Sequence, residues 1–197
     1  MHPSHELIPN DYFRHLRREE IFPDPTRSLE LDIGCGDGTF LIEMATHYPQ
    51  RDFLGVERLS GRVNAICRKA ERRGLSNLRV ICLESAYTLA WILPDACATR
   101  LHLLFPDPWP KKRHSKKRFV QSEILASLRR VLIPSGHFLF KTDHSNYFDD
   151  AVSAIEGTSF FQRIDWLDVD EFYPITDFEQ LWLDHNRTIQ SAQWIAQ

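Results

Sequence analysis

The stretch Leu31-Asp32-Ile33-Gly34-Cys35-Gly36-Asp37-Gly38-Thr39-Phe40 decides the fold. A short apolar run, Ser28–Gly34, ends on glycines at alternate positions, and "TFLIEMATHY" follows with helical spacing. That order reads as a buried strand, a glycine turn and a helix. Such a turn lets backbone N–H groups come close to a ligand. The pattern is G-x-G-x-G. The dinucleotide fingerprint G-x-G-x-x-G would need glycine where Thr39 stands, which argues against an NAD-dependent oxidoreductase. Asp32, just before the glycines, has a role if the ligand is cationic, as an ammonium or sulfonium is.

Outward from this turn, strands and helices alternate. "DFLGVE" (Asp52–Glu57), "LRVICL" (Leu78–Leu83), "RLHLLF" (Arg100–Phe105) and "GHFLFKT" (Gly136–Thr142) read as further strands. "FFQRIDWL" and "TIQSAQWI" supply the last two, for about seven in all. "LSGRVNAICRKAERRG", "VQSEILASLRRVL" and "NYFDDAVSAIEG" read as helices between them. The alternation predicts an α/β domain with a mostly parallel twisted sheet and helices on both faces. Ligands then bind at the carboxyl ends of the strands. Glu57 ends the second strand, 21 residues after Gly36, where a carboxylate accepts from both hydroxyls of a ribose. Glycine loop, Asp32 and Glu57 together suggest S-adenosylmethionine. Glu84, Ser85 and Ala86, after the third strand, are placed to face its adenine.

The 197 residues suit one domain, residues 1–197, read as an N-terminal arm (1–27) and a catalytic core (28–197). The net charge is −3, so any affinity for nucleic acid must come from a local patch. Cys35, Cys67, Cys82 and Cys97 show neither zinc nor disulfide spacing, and the nine histidines show no ligand spacing. The expectation is free thiols, no metal and a cytoplasmic protein, with no signal peptide or membrane span.

The local patch is "FPDPWPKKRHSKKRF", Phe105–Phe119, with six Lys or Arg between Lys111 and Arg118. Pro106 and Pro108 stiffen the loop and aim Asp107. Trp109 offers a face for stacking a base, and the cations suit phosphates. "CRKAERR" (Arg68–Arg73) and "RHLRR" (Arg14–Arg18) extend the basic surface only if they are not ordinary solvated helix faces.

At these residues the chain resembles the tRNA (guanine-N7-)-methyltransferases, a Rossmann-like class I fold. The resemblance runs from "LELDIGCGDG" through "LGVE", "FPDPWPKK" and "FKTD" to "TDFE". It implies that Asp32, Gly34, Gly36, Gly38, Glu57 and Ser85 contact S-adenosylmethionine. It puts Asp107 at the junction of cofactor and base, as the catalytic position, and has Lys111, Asp143, Thr176, Asp177, Phe178 and Glu179 bind substrate. The substrate implied is tRNA, at a guanosine of the variable loop. A monomer or homodimer without an obligate protein partner is expected. Three positions depart from the family: Asp32 for glutamate, Ser85 for Asp or Asn, and Asn186 for a glycine before the final strand.

The chemistry fits the residues. Guanine N7 has a lone pair and no proton, so its methylation needs placement and charge support rather than a general base. Asp107, Asp143 and Glu179 are candidates to accept from the base edge, with Trp109 or Tyr147 packing an extruded base. Two other readings of the same fold are a methyltransferase for another RNA and a catalytically silent RNA-binding subunit. Local capping offers a structural account of Asp143 and of the Thr176–Glu179 pair.

Overall fold

A computed structural model describes residues 5–109, 118–166 and 172–197. Its strands are β1 (Leu29–Ile33), β2 (Asp52–Glu57), β3 (Leu78–Cys82), β4 (Ala98–Leu104), β5 (Leu132–Thr142), β6 (Phe161–Ile164) and β7 (Gln190–Ala196). They form one sheet in the order β3-β2-β1-β4-β5-β7-β6. The first five pair in parallel, and β7 runs antiparallel between β5 and β6. The expected seven-stranded α/β sheet is therefore present. β5 begins earlier than the apolar run suggests, because the preceding helix leads straight into it at Leu132.

The helices are α1 (Arg18–Ile21), α2 (Thr39–His47), α3 (Ser60–Arg72), α4 (Ser85–Tyr87), α5 (Ser122–Val131), α6 (Ser145–Glu156) and α7 (Asp177–Asp184). α4 runs on into a π-helical turn, Thr88–Ile92. The segment after β3, where Glu84, Ser85 and Ala86 are expected to face an adenine, is thus helical, and Glu84 caps it by accepting from Tyr87 N at 2.8 Å.

Strand alternation divides the core. Leu29, Leu31 and Ile33 of β1 join one apolar cluster with Leu125 and Leu128 of α5 and Ala151 and Ile155 of α6. Phe53, Leu78 and Val80 join a second with Leu41 and Met44 of α2 and Val63 and Ile66 of α3. Glu30 and Asp32, between the apolar positions of β1, point to the α2–α3 side by the period of two. Both are buried, 1% and 3% exposed. A buried carboxylate is costly unless something compensates it. Glu30 has Arg51 Nη1 at 3.0 Å and His102 Nε2 at 2.9 Å. Asp32 has no hydrogen bond or ion pair among the described residues.

β1 has β2 on one side and β4 on the other, so the chain reverses its direction of winding there. That switch opens a crevice at the carboxyl ends of the strands. At the sheet's outer edge, residues 5–7 cover β3 through Val80 N to His5 O and Leu7 N to Val80 O, both 2.8 Å. Among the described residues no helix is long and apolar enough to cross a membrane. The four cysteines are free, and burial pushes Cys97 up to about 12.

Candidate active site

A cavity of about 420 Å³ occupies the crevice. The glycine turn forms its floor with Asp32, Gly34 and Gly36, and Glu57 and Ser85 enter from the ends of β2 and β3. Asp107 and Trp109 come from the loop after β4, and Thr176, Asp177 and Phe178 from the start of α7. Residues far apart in sequence thus meet in one site, as the strand-end rule requires.

Gly34 and Cys35 both donate to Val56 O, at 2.9 and 3.0 Å, which locks the turn onto β2. Gly38 lies outside the cavity lining. It starts α2 with φ of 77°, and a Cβ there would stand 2.6 Å from Ile66 Cγ1. Its requirement for glycine comes from packing α2 on α3.

The Asp32 carboxyl is pushed up to about 7, first by burial and then by the charges of Asp37 and Glu57. An uncompensated acid at a cavity wall is what a cationic ligand would stabilise. Glu57 accepts from Leu59 N at 2.9 Å and has Arg62 Nη1 at 3.6 Å. Thr39 Oγ1 lies 2.6 Å from Asp37 Oδ2 and 3.3 Å from Asp177 Oδ2, joining the turn to α7. Burial and then Asp37 raise the Asp177 carboxyl above its usual range.

The Asp107 loop is strained at both ends. Phe105 and Trp109 have φ of 52° and 41°, each worth on the order of 1–3 kcal/mol. Compensation comes from Phe105 N donating to Lys141 O at 2.8 Å and Arg118 Nε donating to Pro108 O at 2.9 Å. Arg118 is therefore no phosphate contact. It is 8% exposed, pairs with Asp150 and lies 5.1 Å from the centre of the Tyr147 ring. Lys111 and the rest of the cationic run through Lys117 lie outside the described residues. Tyr147 is fully buried and stacks on no ligand face. Its hydroxyl accepts from Val120 N at 3.3 Å.

Two expected substrate carboxylates do not line the cavity. Glu179 binds Lys141 Nζ at 2.8 and 3.0 Å, and Asp143 binds Arg187 Nη1 at 2.6 Å. Asp143 does not cap α6; His144 does, accepting from Tyr147 N at 3.3 Å. Thr176 caps α7 by accepting from Glu179 N at 2.9 Å, but only half of the expected reciprocal box forms, because Lys141 takes the Glu179 carboxylate. The N-terminal arginines are likewise engaged within the chain. Arg14 and Arg17 pair with Glu20, and Arg18 with Asp52. His102 and Lys141 were missed as partners of the site. A polar residue inside the apolar runs "RLHLLF" and "FLFKT" was the available signal. Among the described residues no three His, Cys, Asp or Glu side chains group to hold a metal ion.

A methyltransferase family model matches residues 26–192. A tRNA (guanine-N(7)-)-methyltransferase of Rhizobium etli is 37% identical over 164 residues, covering 81% of this chain and 71% of its own. The chain belongs to the tRNA (guanine-N(7)-)-methyltransferase family. The enzyme of that name from Vibrio cholerae serotype O1 is 39% identical over 155 residues, 76% of this chain. The match spans 65% of the Vibrio protein's own length. The antibiotic-resistance methyltransferase Kmr superposes with a TM-score of 0.64 at 20% identity, covering 92% of this chain and 93% of its own. The aminoglycoside resistance methyltransferase NpmB1 gives 0.62 at 18%, covering 92% and 94%. These likenesses establish the class I methyltransferase fold.

Within the tRNA (guanine-N(7)-)-methyltransferase family, the departure at Asn186 has a structural resolution. Asn186 adopts φ of 55°, the left-handed region that glycine enters freely and asparagine tolerates best. It follows the end of α7 with Asn186 N bonded to Leu183 O and Arg187 N to Trp182 O, both 2.9 Å, a Schellman closure. The closure brings Arg187 to Asp143 and places its guanidinium 4.1 Å from the Trp182 ring centre.

Proposed function

We propose that this protein transfers the methyl group of S-adenosylmethionine to N7 of a guanine in tRNA, in the variable loop. The observation that carries the reading is the buried, uncompensated Asp32 facing the same cavity as Asp107 and Trp109. Family membership narrows the substrate to tRNA.

The residues present fit S-adenosylmethionine. Asp32 matches its ammonium, Gly34 and Gly36 leave room beside the methionine end, Glu57 suits the ribose hydroxyls, and Ser85 stands on the adenine side. When bound, it supplies an electrophilic methyl group on a sulfonium. The chain's own task is to orient guanine N7 and to support the positive charge that develops on the base. Asp107, fixed by two prolines and two strained neighbours, accepts from the guanine edge. Trp109 and Phe178 pack the extruded base, and Lys111 takes a phosphate. Glu179 acts on the substrate side only by fastening α7, whose first residues line the cavity, to Lys141, and Asp143 by holding Arg187. No general base is needed, because N7 carries no proton.

The test uses purified protein, labelled S-adenosylmethionine and unmodified tRNA, with digestion to nucleosides. Label in 7-methylguanosine, lost in Asp107→Asn, is the expected result. Absence of label with both ligands bound would refute the proposed reaction.

A further inference from the structure

The Thr176–Phe178 wall of the cavity hangs from a strap, residues 172–176, laid over a polar face of the sheet. Register places His102 of β4 beside Asp32 of β1, and Lys141 of β5 beside Leu104 of β4. By alternation Glu30, Asp32, His102 and Lys141 therefore share that face. Polar seats are specific in geometry and unforgiving of a lost partner.

Tyr173 sits at the centre of the seat. Its hydroxyl lies 2.9 Å from His102 Nδ1, and His102 Nε2 lies 2.9 Å from Glu30 Oε2. Arg51 Nη1 closes the chain on Glu30 Oε1 at 3.0 Å. Burial opposes ionisation of Glu30, but the His102 hydrogen bond and the charges of His102, Arg100 and Arg51 outweigh it and keep its pKa low. An ionised Glu30 only accepts, so His102 Nε2 carries a proton. In the neutral ring Nδ1 accepts from the Tyr173 hydroxyl, and in the protonated ring, whose charge also favours an ionised Glu30, it donates to the tyrosine oxygen, so the bond stands in either form. Phe40, which also lines the cavity, packs its ring 5.1 Å from both His102 and Tyr173. Lys141 Nζ lies 5.2 Å from the Tyr173 ring centre while it binds Glu179. One residue earlier, Phe172 N and O bond the Tyr48 hydroxyl at 3.2 and 2.9 Å, and His47 stacks on the Phe172 ring at 4.2 Å.

We infer that Tyr173, held by the Glu30–His102 pair, is a positioning residue that fixes the Thr176–Phe178 wall and thereby sets reception of the target nucleotide. The inference rests on the proposed function for its kinetic part and on geometry alone for its anchoring part. Tyr173 stands three residues before Thr176, its hydroxyl is bonded to His102, and it does not itself line the cavity. Its effect is therefore on where the wall stands.

The experiment compares wild type with Tyr173→Phe, which deletes one oxygen, His102→Gln, and the double variant. Amide exchange in the unliganded protein reads the anchor, where roughly tenfold faster exchange confined to residues 172–179 is expected for the loss of one internal hydrogen bond. Kinetics read the consequence: the KM for tRNA rises about five- to tenfold while the dissociation constant for S-adenosylmethionine stays within about twofold. The double variant should be no worse than the worse single, since both act through one bond. Unchanged exchange over 172–179, equal losses for both ligands, or additive effects would overturn the inference. If wild type transfers no methyl group to tRNA, the proposed function fails, and the exchange pattern still decides whether Tyr173 anchors the wall.

Discussion

Lys141 Nζ donates to both carboxylate oxygens of Glu179, at 2.8 and 3.0 Å, across 38 positions of sequence. Both side chains are about nine-tenths buried, and the pair fastens α7 to β5. Removing one partner strands the other charge, so Lys141→Met should destabilise the protein by roughly 3–5 kcal/mol. Lys141→Met with Glu179→Leu should recover most of that loss. Urea unfolding of the three variants checks both, and a double variant as unstable as the single would contradict the account.

Asp32 links pH to stability and to ligand binding with opposite signs. An acid whose folded-state pKa is raised to about 7 binds its proton more firmly folded than unfolded. The unliganded protein should therefore lose stability as pH climbs from about 4 to about 7, by on the order of 4 kcal/mol, and hold level above. A cationic ligand needs the ionised form, so affinity for S-adenosylmethionine should improve with pH, by up to about tenfold per unit below pH 7. Asp32→Asn should remove the Asp32 share of both slopes, raise stability at pH 8 and weaken cofactor binding roughly 10- to 100-fold. Calorimetry at three pH values decides it; a pH-independent wild-type affinity counts against the role.

Asn186 should tolerate glycine and resist β-branching. Asn186→Gly should leave the melting temperature unchanged or slightly raised, whereas Asn186→Val should cost about 1–2 kcal/mol for the left-handed backbone. Equal melting temperatures for the two variants would show that the closure of α7 does not depend on this conformation.

Gly38→Ala combines a left-handed φ of 77° with a Cβ 2.6 Å from Ile66 Cγ1. The expected loss is about 2–4 kcal/mol, part backbone and part overpacking. Ile66→Ala in the same chain should relieve the overpacking part, so the double variant should be less destabilised than the sum. Strict additivity in thermal unfolding would exclude the contact as the cause.

The sheet was legible because its signals are local. Runs such as "DFLGVE" and "LRVICL" have strand length and composition, and the helices between them keep a 3.6-residue period. The glycine turn, Asp32, Glu57 and Asp107 were legible too, since strand-end loops in such a fold converge. The short helix α4 was not, because its cap is a glutamate, Glu84, rather than one of the usual capping residues, and "SAYTLAWI" is too short to show a helical period. Arg118 was misread for a related reason. In the sequence it is the last cation of a run, and only folding puts it under Pro108 and against Asp150.

The sequence by itself determined the α/β class, the succession of strands and helices along the chain, the glycine turn and the acids that face the cavity, since each depends on neighbouring residues or a fixed period. Tertiary structure alone decided who pairs with whom. Lys141 with Glu179, Arg187 with Asp143, and the Glu30–His102–Tyr173 chain join residues tens of positions apart. The charge of a side chain is written in the sequence, but whether it faces solvent, ligand or a buried partner follows from burial, which is a property of the whole fold.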